Sequence, residues 1–463
     1  MIQGRRGVAA RSDEPAESAG RGTKPDPLAR LMGLYILVAV GRIGDLVPWL
    51  HNIPLAKLLV FIAIIVAMRG GRPSTAVTWK SVPPAKLAIT VMGITTVSIL
   101  WSVLRSATLG VVTGTALAVT ITLILVIKAA RNWESVKTIL HGVVFSSIVL
   151  IASVFTTKVH DAGGARAGYS SSYDPNDFAF VLLGFLPLVI TFGIVSRGAK
   201  RLIYFGLAGF VTIAILLTES RGGLFGLIFD VVAMTFLLPV ARRGQLRFQV
   251  SKWGIVTRAA LLILIALVAW QSLPEKARAR LDTITTLGSD YNSNISEGGR
   301  LAIWTRNLPS VLNRPWGYGA GAFEAVDGMY SGGRYRAAHN TLLQASIELG
   351  IPGLLLLVST IVASLRYLRV AQDRDQDNTM STAQDEPRAF ARALGIGWVG
   401  LCISGFFLSE LYSNVLWTFV TLSCAVGIVR RLPTMTPVRA IATQAAAETQ
   451  RAFSARAIAK PTR

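Results

Sequence analysis

The chain has 463 residues, 52% of them hydrophobic and only 16% charged, with a mean hydropathy of +0.51. A soluble domain carries about a quarter of its residues as Asp, Glu, Lys and Arg, so this composition excludes an ordinary water-soluble fold. The formal charge of +22 suits nucleic acid or a membrane surface, and where the charges sit along the chain decides between them. The two cysteines, Cys402 and Cys424, both lie in apolar runs and supply neither a disulfide framework nor a CxxC metal site.

Residues 1–30 are rich in Arg, Gly, Ser, Pro and Glu and lack the apolar content of a folded unit, so a disordered tail is expected there, without a cleavable signal peptide. Apolar runs of about 18 to 20 residues then recur, the length a helix needs to cross about 30 Å of hydrocarbon. In that medium every backbone polar group must be satisfied within its own segment, so such runs read as helices. Nine are predicted in residues 31–273, over 31–47, 53–68, 85–104, 107–127, 138–157, 177–196, 202–218, 224–240 and 255–273. A long connection, 274–351, follows. Three more helices, 352–368, 391–409 and 414–429, precede a basic tail at 430–463. The predicted fold is an all-α integral membrane protein of about twelve transmembrane helices with one long, partly helical loop.

Twelve spans put both termini on one side. That side holds 33 of the 47 Lys and Arg residues: six in the N-terminal tail, seven in the C-terminal tail and twenty across five loops and the span ends that flank them. The opposite side holds twelve, eight of them in the long loop, while Arg42 and Lys57 fall within spans and are assigned to neither side. This is the positive-inside pattern, so the termini are expected in the cytoplasm and the long loop on the far face, and the charge needs no nucleic acid. The loop carries Trp304, Trp316, Tyr318, Phe323, Tyr330 and Tyr335. Ile303, Trp304, Leu308 and Leu312 at helical spacing predict a helix over 300–312. The expectation is an ordered cap.

Three segments predicted on the capped face could carry chemistry. TESRGG places Glu219, Arg221, Gly222 and Gly223 where one helix ends and the next begins, so Arg221 either snorkels to headgroups or meets a ligand. GGRLAIW puts Arg300 at the start of the loop helix, a position unfavourable to the helix dipole but suited to an anion shared between guanidinium and helix end. AAHNTLLQASIELGIPG opens with His339, and Asn340, Gln344 and Glu348 recur every four residues along a short helix predicted over 340–349. His339 stands in a polar loop on that face, whereas His51 and His160 occupy other loops and His141 a span. A structural histidine and a catalytic one are both open on spacing alone. DPND, with Asp174 and Asp177, reads as a turn into a helix N-cap that also faces the ligand side. Arg42, Asp45 and Asp230 fall within spans, where charge is costly, and read first as structural. DRDQD at 373–377 sits in a polar loop on the wrong side for a metal-holding D-x-D, and GYGAGAF at 317–323 follows no predicted strand and is not a dinucleotide fingerprint.

Four segments in this order, YDPNDFA (173–179), ESRGGLFGL (219–227), GRLAIW with NRPWGYGAGAF (299–323) and AHNTLLQASIELGIPG (338–353), resemble the O-antigen ligase and polymerase superfamily of bacterial membrane glycosyltransferases. The resemblance covers the middle and C-terminal half, and the N-terminal third adds no motif to it. It implies a metal-independent, cofactor-free, inverting enzyme of the inner membrane. Such an enzyme takes a glycan from undecaprenyl diphosphate on the periplasmic face and passes it to lipid A–core or, in a polymerase, to another glycan. Carried over by motif, Arg221 and Arg300 would bind the diphosphate and His339 would be catalytic. Asp174, Asp177, Glu219, Asn340 and Glu348 are further candidates for substrate contact. Membrane lipids are expected neighbours. The rival of another class is a lipid-linked glycan transporter or flippase. It predicts inverted repeats and broken helices at mid-membrane, and the sequence has no internal repeat.

Overall fold

The computed structural model describes residues 25–50, 52–69, 77–156, 158–161, 164–167, 173–242, 245–248, 252–272, 275, 278, 299–333, 335–373 and 382–431. The tail over 1–24, most of the loop over 274–298, the DRDQD segment beyond Asp373 and the basic tail from 432 lie outside them, so the expectations for those segments do too.

Helices begin where the sequence supplies caps. Asp26 accepts the Leu28 N–H at 2.9 Å and opens α1 (Pro27–Ala39), with proline in its first turn. α2 (Leu55–Arg69), α3 (Pro83–Val97) and α4 (Arg105–Ala129) follow, the last interrupted by a π-helical turn at Val112–Ala116 that the sequence pattern does not announce. Next come α5 (Trp133–Thr156), α6 (Pro175–Val195), α7 (Ala199–Leu217), α8 (Arg221–Leu237) and α9 (Lys252–Ser272). The cap contains α10 (Arg300–Asn313), α11 (Phe323–Ser331) and α12 (Thr341–Glu348). The chain then returns through α13 (Gly350–Asp373), α14 (Thr382–Gly405) and α15 (Asn414–Arg431).

Among the described residues a helix overlies each of the twelve predicted segments. Six are long and apolar enough to cross a membrane: Pro83–Leu100, Arg105–Ala129, Trp133–Val154, Pro175–Val195, Ala199–Leu217 and Gly350–Arg369. The chain is therefore a multi-pass, largely α-helical membrane protein. The count of twelve spans is not reached on these grounds: α1, α2 and α8, at 13, 15 and 17 residues, fall short of the about 20 residues of a full crossing, and α9, α14 and α15 are not among the six. The structure also adds two antiparallel hairpins to the all-α expectation. Lys158–Asp161 pairs with Gly164–Ala167, and Val240–Arg242 pairs with Gln245–Arg247.

α6 forms the centre of the bundle. Phe178 to Val189 are buried on every face, against α14, α7 and α8. A helix that is apolar all round belongs inside a bundle. α1 and α5 cross in close contact because both carry glycine there: a Cβ on Gly142 would lie 2.3 Å from the Gly33 carbonyl oxygen. The cap has its own small core of Ile303, Tyr318, Phe323, Val326, Leu343 and Ile347. One buried carboxylate ties it together. Asp327 accepts from Arg306 Nε at 2.7 Å and Nη2 at 2.9 Å, from Asn307 Nδ2 at 2.6 Å and from the Arg336 N–H at 3.1 Å.

Candidate active site

Three non-glycine residues among those described adopt left-handed backbone: Arg42 (φ 54°), Glu219 (φ 53°) and His339 (φ 45°). Each follows or precedes a helix at the capped end of the bundle. Such residues cost about 1–3 kcal/mol, persist only where their surroundings over-determine them, and cluster at functional sites.

His339 is held by the segment between α14 and α15. Its N–H donates to Ser409 Oγ at 2.9 Å. Two residues on, Thr341 Oγ1 donates to the Gly405 and Leu408 carbonyls at 2.9 and 2.8 Å and accepts the Glu410 N–H at 3.0 Å. The Leu411 N–H donates to Gln344 Oε1 at 3.3 Å. From above, Trp304 Nε1 donates to the Ala338 carbonyl at 2.9 Å while its ring meets Phe406 edge-on at 5.6 Å. The histidine is thereby fixed between the cap and the bundle. Burial pushes its pKa below the ordinary 6.5, the positive charges of Arg300 and Arg336 push the same way, and Asp174 opposes them. The imidazole is therefore held neutral at pH 7, the form able to accept a proton.

Both predicted arginines stand at the first position of a helix. Arg300 begins α10 behind Gly299, and its charge is the strongest of those acting on His339. Arg221 begins α8, whose Ser220 cap accepts the Gly223 N–H at 3.1 Å. Gly222 faces Phe407 and Ser404, so the start of α8 abuts the same 404–410 segment that holds His339. Each guanidinium thus stands at a helix N-terminus, where the backbone also favours an anion.

Several predicted candidates turn out to hold the architecture. Asp174 caps α6 through the Asn176 and Asp177 N–H groups at 2.6 and 2.9 Å, as its sequence context suggested. Asn340 caps α12 in the same way, accepting from Leu342 and Leu343 at 3.0 and 2.9 Å. Glu348 is almost wholly buried and accepts the Gly321 N–H at 2.8 Å and the Phe323 N–H at 3.2 Å. Around it curls the GYGAGAF loop, with Gly317, Gly319 and Gly321 at φ 90°, 107° and 72°. That loop also leans on the N-terminal third. Ala320 donates to Ser98 Oγ at 3.1 Å and accepts from Thr108 Oγ1 at 2.7 Å. A Cβ on Gly319 would lie 2.3 Å from Ser102 Oγ. The motif-poor region therefore positions the cap.

The sequence reading missed Glu410. It is buried in the 406–413 segment, hydrogen-bonded to Asp177, and burial together with the charge of Asp177 raises its pKa well above the usual range. An acid in the short LSELYSN connection between two apolar runs was the available signal. Tyr173 and Arg42 complete this flank. The phenol donates to the Val40 carbonyl at 3.1 Å, and the guanidinium lies 5.6 Å from the ring centroid. Among the described residues no group of His, Cys, Asp and Glu has metal-holding geometry.

A family model described as O-antigen ligase matches residues 205–358, the stretch that contains Glu219, Arg221, Arg300, His339, Asn340 and Glu348. No curated protein matches the chain.

Proposed function

We propose that this chain, related over residues 205–358 to the O-antigen ligases, transfers a glycan from a polyprenyl (undecaprenyl) diphosphate to a sugar hydroxyl on the face of the inner membrane away from the cytoplasm. The observation that carries the reading is His339: neutral, strained at φ 45°, and set beside Arg300 at the start of a helix. The acceptor hydroxyl attacks the anomeric carbon as the bond to the diphosphate oxygen breaks. His339 takes the hydroxyl proton. Arg221 and Arg300 stabilise the negative charge that develops on the departing lipid diphosphate. One displacement of this kind inverts the anomeric configuration. Asp174, as well as capping α6, opposes Arg300 and Arg336 in its effect on His339 and so favours the protonated product of that step.

Lipid A–core as acceptor, hence ligation, is the favoured form, and extension of another glycan repeat is the second. Loss of the gene separates them: an intact repeat ladder unattached to lipid A–core indicates ligation, and single repeats alone indicate polymerisation. The experiment for the reaction class uses the purified protein in liposomes with lipid-linked glycan, acceptor, excess EDTA and no ion gradient. Formation of the joined product supports transfer. Movement of donor across the bilayer with no product would mean a transporter instead.

A further inference from the structure

At the end of the bundle opposite the cap, a pocket of about 600 Å³ opens where α1 begins, α2 ends and α4 passes into α5. That volume lies within the about 300–1,000 Å³ of small-ligand sites. Its distance from the cap follows from the course of α14. Trp133 Nε1, at the start of α5, donates to Glu386 Oε2 near the start of α14 at 2.9 Å, and α14 runs from there to the segment that holds His339. The buried Leu28 and the half-buried Val66 give the pocket an apolar wall, and the exposed Arg69 and Arg131 give it charge.

The charges are unequally spent. The Asp26 carboxylate is engaged on both oxygens: Oδ1 accepts the Leu28 N–H at 2.9 Å and Oδ2 meets Arg131 Nε at 3.0 Å. Arg131 uses Nε alone, toward Asp26 and the Lys128 carbonyl, so its two terminal amino groups have no partner among the described residues. Arg69 has no hydrogen bond or ion pair among them at all. Lys128 adds positive charge at the wall, where its ammonium donates to the Ala67 carbonyl. Unspent guanidinium groups beside an apolar wall suit a phosphate carried on a hydrocarbon body.

We propose that this pocket binds the phosphate of an anionic glycerophospholipid, with the phosphate between Arg69 and Arg131 and the acyl chains along α2. A soluble phosphate compound shares that headgroup chemistry, and continuity with α2 favours the lipid. α2 packs against α1 and α4, while its Phe61 and Met68 are 61% and 73% exposed. Such an apolar surface on a multi-pass protein meets hydrocarbon, and Met68 immediately precedes Arg69. The positive-inside expectation puts this end at the cytoplasmic leaflet, whose anionic lipids are drawn to basic pockets between helices. The site stands apart from the proposed transfer reaction.

The full-length protein, delipidated in detergent, is titrated with phosphatidylglycerol and followed by native mass spectrometry, with phosphatidylcholine and glycerol phosphate as comparisons. Arg69→Gln breaks no contact among the described residues, so it probes the pocket without disturbing the fold. Arg131→Gln also removes the Asp26 pair, and Arg247→Gln, in the hairpin against α14, is the control. Wild type should bind one phosphatidylglycerol more tightly than phosphatidylcholine. Arg69→Gln and Arg131→Gln should each weaken it about fivefold, the share of one basic residue at an anionic lipid surface, and Arg247→Gln should leave it unchanged. Phosphatidylglycerol should also raise the wild-type Tm, and raise it less in Arg69→Gln. Unchanged affinity in Arg69→Gln would overturn the proposal whatever Arg131→Gln does. Equal affinity for phosphatidylcholine would mean an annular lipid only and would overturn it too. Glycerol phosphate binding as tightly as the lipid would make the occupant a soluble phosphate compound and remove the lipid from the site.

Discussion

His339 combines a backbone that a histidine adopts at a cost with a side chain that has lost its easy protonation. A left-handed residue with a Cβ is about 1–2 kcal/mol worse than glycine there. His339→Gly should therefore be more stable than His339→Ala by about 1 kcal/mol in thermal unfolding, while both lose about 10² to 10⁴ in rate. A structural histidine would show the opposite: activity per folded molecule preserved and abundance reduced. His339→Gln adds a finer test, since Gln still hydrogen-bonds a sugar but is a very poor base. Near-normal turnover in that variant would move the role to a carboxylate such as Asp177 or Glu410. The pH profile follows from the same surroundings. Burial first, and the charges of Arg300 and Arg336 next, lower the histidine pKa, so its neutral, active form persists below pH 6.5. The acid limb of kcat/KM should fall below 6.5, and Arg336→Ala should move it upward. A limb at or above 6.5 in the wild type would contradict this environment. For the arginines the fork matters as well as the charge. Arg221→Lys and Arg300→Lys should both lose most of their transfer with weakened donor affinity, because an ammonium cannot reproduce two parallel donors. Normal turnover in either would remove that residue from the diphosphate site.

At the scale of elements, the cap stands on two buried carboxylates that behave differently. Asp327 is fully buried and receives two guanidinium bonds, an amide bond and a backbone N–H. Removing one partner of such a buried pair costs about 3–5 kcal/mol. Asp327→Ala should release α10 and α11 to proteolysis while the bundle helices stay protected. Unchanged protection of the cap would show that its apolar core suffices. Glu348 is held by the Gly321 and Phe323 N–H groups and the Gln344 amide, with no cationic partner among its hydrogen bonds, and burial raises its pKa to about 7 from the usual 4.5. The native state then binds more protons than the unfolded chain between those values. Stability should fall as pH rises from about 4.5 to about 7, by roughly 3 kcal/mol at most. Glu348→Gln should flatten that slope, and a slope that survives belongs to another group. The sequence made some of this legible. The helix over 300–312, the caps at Asp174 and Asn340 and the break at Gly350 were all visible as local spacing. The partners of Asp327 and the hold of Ser98, Ser102 and Thr108 on the GYGAGAF loop were not, because they join residues more than two hundred positions apart or depend on a turn with no period to read. Glu410 was missed for a related reason: one acid in a short connection has no neighbours that reveal what it will face.

For the whole molecule, hydropathy located the helices because a bilayer allows few alternatives. Composition could not say which short helices cross: α1, α2 and α8 need a thinned bilayer, snorkelling flanks or partner helices to span about 30 Å. The assignment of faces rests on the basic residues, 33 of 47 of which a twelve-span topology would put on the side of the termini. His339, Arg300, Asp174, Glu410 and the cap meet at one end of the bundle. At the other end Phe248 lies between the guanidiniums of Arg388 and Arg392, at 4.3 and 4.7 Å from its ring centroid. If the positive-inside pattern is topological, these ends face different compartments. Single cysteines on a background lacking Cys402 and Cys424 decide it. Ser331→Cys, on the cap, should react with an impermeant thiol reagent in intact spheroplasts, and Gln245→Cys, in the hairpin beside Arg388, should react only after lysis. The reverse pattern would place His339 in the cytoplasm. A cytoplasmic His339 would be cut off from any acceptor assembled beyond the membrane, and the transfer chemistry argued for it would have no substrate to act on.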